Sequence, residues 1–232
     1  MIKAIVTDIE GTTSSLSFVK EVLFPYARVH LPDFIRTHQQ VDEIKTLLDD
    51  ARVEIGGTPD LEQIIKQFID WIDRDQKITP LKALQGLIWE AGYQSGDFNG
   101  HVYADTVLQL KAWKQQGYAL YVYSSGSVHA QKLLFAHTEF GDLTPLFSDY
   151  FDTRIGGKKQ ADSYRKIAEH IQCQPNQIMF LSDIVEELDA AKVTGFQTYW
   201  LVRDPTESLD MAIAHPQARD FNAIQIQGDC QE

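Results

Sequence analysis

Apolar and polar positions alternate along this chain in two different rhythms. Residues 2 to 8 form a short apolar, β-branched run that brings Asp8 and then Glu10 to its carboxyl end and stops at Gly11. At the two-residue period of a strand, Asp8 and Glu10 face one way and Ile9 faces back toward the core. After Gly11 the rhythm becomes helical for about eighty residues, too long for an ordinary strand-to-helix connection, so an inserted helical domain is expected. Val41, Ile44, Leu47, Leu48 and Ala51 recur at steps of three and four. So do Leu61, Ile64, Ile65, Phe68, Ile69 and Ile72, and later Leu81, Leu84, Leu87, Ile88 and Ala91. Each stripe predicts one buried helix face. Thr58-Pro59 and Thr79-Pro80 read as an N-cap followed by proline in the first turn, and Gly92 as a C-cap. Pro25 interrupts Ser17 to Leu31, which predicts one kinked helix or two short ones.

From about His101 helices and strands alternate. The pattern predicts helices over 105–116, 128–136, 163–171 and 185–193, and strands over 118–124, 150–152, 178–182 and 197–202. Such alternation implies an α/β fold with a doubly wound parallel sheet whose first strand is 2–8. The expected core is therefore discontinuous, residues 1–14 plus 101–232, with a helical domain over 15–100 between its parts. Ile224 to Ile226 reads as a weak strand in the tail after Arg203.

Charge narrows the partners. The 232 residues carry 21 Lys and Arg against 33 Asp and Glu, a net charge of −12, which disfavours nucleic acid and anionic membranes. An anionic small molecule then needs a local positive focus. The two cysteines, Cys173 and Cys230, have no metal-ligand spacing, no apolar run approaches the ~20 residues of a bilayer span, and no signal peptide pattern opens the chain. A cytoplasmic monomer acting on a small molecule is the expectation.

Candidate chemistry gathers at the strand ends, where open parallel sheets bind ligands. Asp8 and Glu10 are two acids side by side, which repel unless a cation or a shared proton relieves them. A solvated acidic turn is the plainer alternative. Ser124-Ser125-Gly126-Ser127 precedes a helix and offers hydroxyls, amides and a helix N-terminus to an anion, or simply caps that helix through Ser127. Ile155-Gly-Gly-Lys158-Lys159 either turns a lysine inward or forms an exposed turn. Ser182-Asp183 sets another acid before a helix, where N-capping competes with ligand binding.

In this order, Asp-x-Glu-Gly-Thr, Ser, Lys, Ser-Asp, the strand ends resemble the haloacid dehalogenase superfamily of phosphotransferases. That superfamily usually has Asp at the second acidic position, and this chain has Glu10. Asp8-Ile-Glu-Gly-Thr-Thr13, Phe18-Val-Lys20, Leu23-Phe-Pro-Tyr26, Leu84-Gln-Gly86 with Trp89, Tyr123-Ser-Ser-Gly-Ser127, Phe151-Asp-Thr153 and Ser163-Tyr-Arg-Lys-Ile167 are similar to the enolase-phosphatase (acireductone synthase) family of methionine salvage. The resemblance implies a haloacid dehalogenase-like core with a helical cap and Mg²⁺-dependent conversion of 2,3-diketo-5-methylthiopentyl-1-phosphate to an acireductone and phosphate. A phosphatase of the same superfamily acting on another small phosphate ester is the alternative. It implies Asp8 as nucleophile through an aspartyl-phosphate and Glu10 as general acid and base. Mg²⁺ is expected on Asp8, the Glu10 carbonyl and Asp183. Ser124, Ser125 and Lys158, rather than Lys159, are expected to hold the phosphoryl group. The insert is expected to close over the site, with Lys82, Gln85 and Trp89 as its candidate contacts, although Trp89 beside an apolar stripe also suits a core position. Glu187, one turn after Asp183, orients a metal-bound water or faces solvent.

Overall fold

A computed structural model describes residues 1–206 and 214–226. Two compact units divide the chain, Met1–Leu16 with Gly100–Glu232, and Ser17–Asn99.

The first unit is built on a parallel six-stranded sheet, with β1 (Ala4–Thr7), β2 (Ala119–Tyr123), β3 (Asp149–Phe151), β4 (Ile178–Ser182), β5 (Gln197–Leu201) and β6 (Gln217–Ala218) in the spatial order β3-β2-β1-β4-β5-β6. All four residues of β1 are buried, as befits a central strand covered on both faces. Its register puts Thr7 beside Val122 of β2 and Leu181 of β4, so residues 8, 123–124 and 182–183 emerge side by side at one edge. The order reverses between β2 and β4 on either side of β1, which opens the crevice where ligands bind in such sheets. The tail departs from expectation. Its strand is Gln217–Ala218, hydrogen-bonded to β5, whereas Ile224 to Ile226, after the turn Phe221–Ala223, have no strand partner among the described residues.

The second unit is helical. A three-residue helix α1 (Leu16–Phe18) leads through a π-turn (Val19–Leu23) into α2 (Phe24–His38), with Pro25 in its first turn. The helices α3 (Asp42–Ile55), α4 (Leu61–Asp73) and α5 (Thr79–Ser95) follow, and their apolar faces form one cluster with α2 around Leu31, Phe68, Leu84 and Ile88. Two stripe members lie outside it, because Val41 sits at the N-cap of α3, 49% exposed, and Ala91 faces solvent. The caps also differ from the sequence reading. Asp60, not Thr58, caps α4, in a reciprocal capping box with Gln63, and Ile78 precedes α5 so that Thr79 is already helical. Gly92 lies inside α5, which ends at left-handed Gly96 (φ 76°). In the first unit the remaining helices are α6 (Ala104–Gln115), α7 (Val128–Ala136), α8 (Ala161–Ile171) and α9 (Val185–Val193). No helix among the described residues is long and apolar enough to cross a membrane. Cys173 is a free thiol, and Cys230 lies outside the described residues.

Candidate active site

Beyond Thr7 the chain leaves the sheet, so Asp8 and Glu10 do not alternate as strand residues. Instead the amides of Thr12, Thr13 and Ser14 all bond the Ile9 carbonyl, at 3.1, 2.9 and 2.9 Å, and wind residues 9–14 into a tight turn. Gly11 adopts φ 75°, and a Cβ there would overlap Asp183 Oδ2. Glycine thus lets the acid after β4 press against the turn after β1. The Thr13 hydroxyl donates to the Asp8 carbonyl at 3.1 Å. Glu10 swings toward β2, where its carboxylate accepts the Ser124 hydroxyl at 3.2 Å.

The loop after β3 explains how one of two adjacent lysines turns inward. Its carbonyls are held by three hydroxyls, Tyr123 to Gly156 at 2.9 Å, Ser163 to Gly157 at 2.8 Å and Tyr164 to Lys158 at 2.6 Å. Gly156, at φ 142°, leaves the space in which the Ser163 hydroxyl sits. So held, the Lys158 side chain is 9% exposed, with its ammonium 2.5 Å from Asp8 Oδ1 and 2.7 Å from Glu187 Oε2. Lys159 points out, 62% exposed, 3.6 Å from Glu186.

Glu187 does not face solvent. It is buried, accepts the Ser182 hydroxyl at 2.9 Å, and anchors Lys158. The Ser182 oxygen also accepts the Ile184 amide at 3.1 Å, so one hydroxyl ties the end of β4 both to the start of α9 and to Glu187 within it. Asp183 does not cap that helix; Ile184 holds the N-cap position. Ser127, by contrast, does cap α7, accepting the Ala130 amide at 3.2 Å. Ser124 is fully buried and Ser125 is exposed at the same loop.

Electrostatically the site holds more acid than base. Burial opposes the charge of Lys158, but Asp8 and Glu187 overcome that and hold its ammonium above the ordinary lysine value. Burial and mutual repulsion push the acids upward: Asp8, where Glu10 adds to the effect, Glu187, where Asp8 does, and Asp183, raised to about 7. Asp183 Oδ1 is buried without a hydrogen-bond partner. A buried anionic oxygen with no donor is what a cation would satisfy. Among the described residues no three His, Cys, Asp or Glu side chains converge as a cage. Two carboxylates and a backbone carbonyl suit Mg²⁺, which keeps several waters.

A family model for haloacid dehalogenase-like hydrolases matches residues 2–195. The chain belongs to the haloacid dehalogenase-like hydrolases. It is 60% identical over 226 residues to enolase-phosphatase E1 of Thioalkalivibrio sulfidiphilus, a match covering 97% of this chain and 100% of that protein. Enolase-phosphatase E1 of Methylococcus capsulatus is 58% identical over 225 residues, 97% of this chain and 98% of its own. These relatives place the chain in the enolase-phosphatase E1 family. Among solved structures, the UTR4 protein of Saccharomyces cerevisiae superposes with a TM-score of 0.83 at 30% identity, over 97% of this chain and all of that one. A dehalogenase superposes at 0.56 with 16% identity and shares the fold alone.

The core of this haloacid dehalogenase-like hydrolase thus gathers Asp8, Glu10, Ser124, Lys158, Asp183 and Glu187. Lys82, Gln85 and Trp89 lie in the other unit, on α5. Gln85 is buried, and Trp89 is part of that unit's core, stacked on Phe24 and donating to the Leu23 carbonyl at 2.8 Å. Sequence reasoning gave no role to three residues, Asp152 and Ser182 inside the motifs and Arg203 outside them. Asp152 accepts the Val128 amide at the start of α7, and Ser182 sets Glu187. Arg203, just past β5, donates to the Thr12 carbonyl at 2.9 Å. The signal for the last was a charged residue two positions past the end of β5.

Proposed function

We propose that the chain is a Mg²⁺-dependent enolase-phosphatase of methionine salvage, converting 2,3-diketo-5-methylthiopentyl-1-phosphate to an acireductone and phosphate. The observation that carries this reading is identity of 60% to an enolase-phosphatase E1 across the insert as well as the core. The core supports the phosphatase half independently, through a buried carboxylate at a central strand end braced by a buried lysine.

In this reading Asp8 attacks phosphorus, forming an aspartyl-phosphate as the ester P–O bond breaks. Glu10 gives its proton to the departing oxygen and then takes one from the water that attacks the aspartyl-phosphate, releasing phosphate and restoring Asp8. The Ser124 hydroxyl, 3.2 Å from Glu10, orients that carboxyl. Ser124, Ser125 and Lys158 hold the phosphoryl oxygens, and Glu187 keeps the Lys158 ammonium aimed. Asp8, the Glu10 carbonyl and Asp183 would hold Mg²⁺, which when bound supplies Lewis-acid polarisation of the phosphoryl and carbonyl oxygens. The unpartnered Asp183 Oδ1 and the upward pressure on both aspartates support that assignment.

The test follows phosphate release and the enol absorbance together, on the diketo phosphate, with and without Mg²⁺. The reading expects an enol that forms and decays with phosphate release, all of it dependent on the ion. Phosphate released without any enol, at rates matched by simple sugar phosphates, favours the alternative of a phosphatase for another small ester.

A further inference from the structure

We infer that Arg203, outside the residues matched by the family model, is a positioning residue for Glu10, pinning the turn that carries the acid. The inference rests on the role proposed above for Glu10.

The turn 9–14 is closed internally by bonds to the Ile9 carbonyl, which fix its shape but not its placement. Two of its carbonyls are each taken by a group from elsewhere in the core. Arg203 Nε donates to Thr12 O at 2.9 Å, and the Tyr103 amide donates to Thr13 O at 3.0 Å. The rest of the guanidinium is equally committed. Nη1 bonds Asp105 Oδ2 at 2.8 Å and Nη2 bonds the Thr106 hydroxyl at 2.7 Å, both at the start of α6. Its flat faces lie against Tyr103, 4.2 Å from the ring centroid, and Phe221, at 5.2 Å. Asp105 Oδ2 is shared with the Phe221 amide at 2.8 Å, so the tail after β6 closes the same junction. Arg203 is one-tenth exposed and Thr12 is fully buried.

A planar fork whose three nitrogens each meet a fixed acceptor, sandwiched between two rings, has no freedom to follow a moving turn. The turn must come to it. One residue, Gly11, separates Thr12 from Glu10, and it is held by its amide bond to the Ser14 carbonyl at 2.8 Å and by Asp183 packed where a Cβ would stand, so a shift of the Thr12 carbonyl is passed on to Glu10. Arg203 makes no contact with the carboxylate itself. It acts by fixing the backbone from which Glu10 reaches Ser124. Lysine retains the charge but cannot hold Thr12, Asp105 and Thr106 together.

The experiment is Arg203→Lys in the full chain, assayed with Mg²⁺ on the diketo phosphate, which has a poor alkoxide leaving group, and on 4-nitrophenyl phosphate, whose aryloxide leaves without protonation. Glu10→Gln on both substrates sets the reference ratio. Arg203→Lys is expected to lower kcat on the diketo phosphate by about thirty- to a hundredfold, as misplacement near 1 Å does, and to lower the aryl ester rate only a few-fold, with KM little changed. In the Glu10→Gln background the same substitution should add less than threefold. Equal losses on the two esters, or full additivity with Glu10→Gln, overturn the inference. Should Arg203→Lys not fold, Thr106→Val removes one arm of the fork and must show the same ratio, smaller. A wild type inactive on both esters with Mg²⁺ brings down the proposed function and this inference with it. An active wild type with a flat ratio for Arg203→Lys and Thr106→Val brings down this inference alone.

Discussion

Adjacent lysines in one loop meet opposite fates because three hydroxyls hold the backbone of that loop. Lys158 lies between Asp8 and Glu187, while Lys159 sits in water beside Glu186. Removing a positioned charge from a phosphoryl transition state costs on the order of 3 kcal/mol, about a hundredfold, whereas an exposed ion pair is worth little. Lys158→Ala is therefore expected to lower kcat/KM at least a hundredfold and Lys159→Ala less than threefold, by steady-state phosphate release; comparable losses would place the phosphate elsewhere. His101 gives a pH prediction at the same scale. Its Nδ1 accepts the Ser15 amide at 3.1 Å, and burial, aided by Arg203 and opposed by Glu139, lowers its pKa in the fold. As pH falls below about 6.5 the unfolded chain takes this proton before the folded one, so the contribution of His101 to stability is complete above that pH and lost below it. His101→Asn keeps an acceptor and cannot titrate. Its melting temperature should fall less than that of the wild type between about pH 7.5 and 5.5, and parallel curves would show that another group governs the loss.

At the scale of elements, glycine separates what the sequence made legible from what it did not. The sequence reads Gly92 as a C-cap, but it lies inside α5, where helix propensity alone would have Gly92→Ala stabilise by about 1 kcal/mol. In the structure a Cβ there would lie 2.5 Å from Phe98 and 2.8 Å from the Tyr26 ring, so helix α5 needs glycine for packing. Gly92→Ala should instead destabilise the insert by about 1–3 kcal/mol. Gly96→Ala, in open space but left-handed, should cost only about 1 kcal/mol. Urea melts of the two variants test the order, and a neutral Gly92→Ala would mean the rings give way. Periodicity found β4, α7 and α9 to the residue, because each is a complete apolar pattern bounded by polar or turn residues. It missed the cap of α4, where Asp60 two residues past Thr58 wins by its bond to Gln63. Asp8, Ser124, Lys158 and Asp183 were legible as strand-end residues. Of the two readings of Glu187 only the solvent-facing one is excluded by its burial, and neither its pairing with Lys158 nor the contact of Arg203 with Thr12 was legible, since those partners are distant in sequence.

For the molecule as a whole, charge decides the order of events at the site. A protein of net charge −12 collects Asp8, Glu10, Asp183 and Glu187 around Lys158, leaving three negative charges when all are ionised. A phosphate dianion entering that field meets repulsion from the site and from the whole surface, and the one ammonium is already shared by two carboxylates. On the proposed reading a divalent cation reduces the excess to one negative charge, which couples anion binding to metal binding. A ligand that binds only the folded state stabilises it by about 2.7 kcal/mol at a hundred times its Kd, a few degrees or more in melting temperature for a chain of this size. Mg²⁺ alone should therefore raise the melting temperature in a saturable way. Inorganic phosphate should add a further rise in the presence of Mg²⁺ and none in chelator. Asp183→Asn, which keeps the shape of the side chain and removes the charge of a proposed ligand, should abolish the Mg²⁺ shift and with it the response to phosphate. Scanning fluorimetry over the four combinations reads this directly, with no assay of turnover. A phosphate shift of the same size in chelator would show that Lys158 and the serine loop bind the anion unaided.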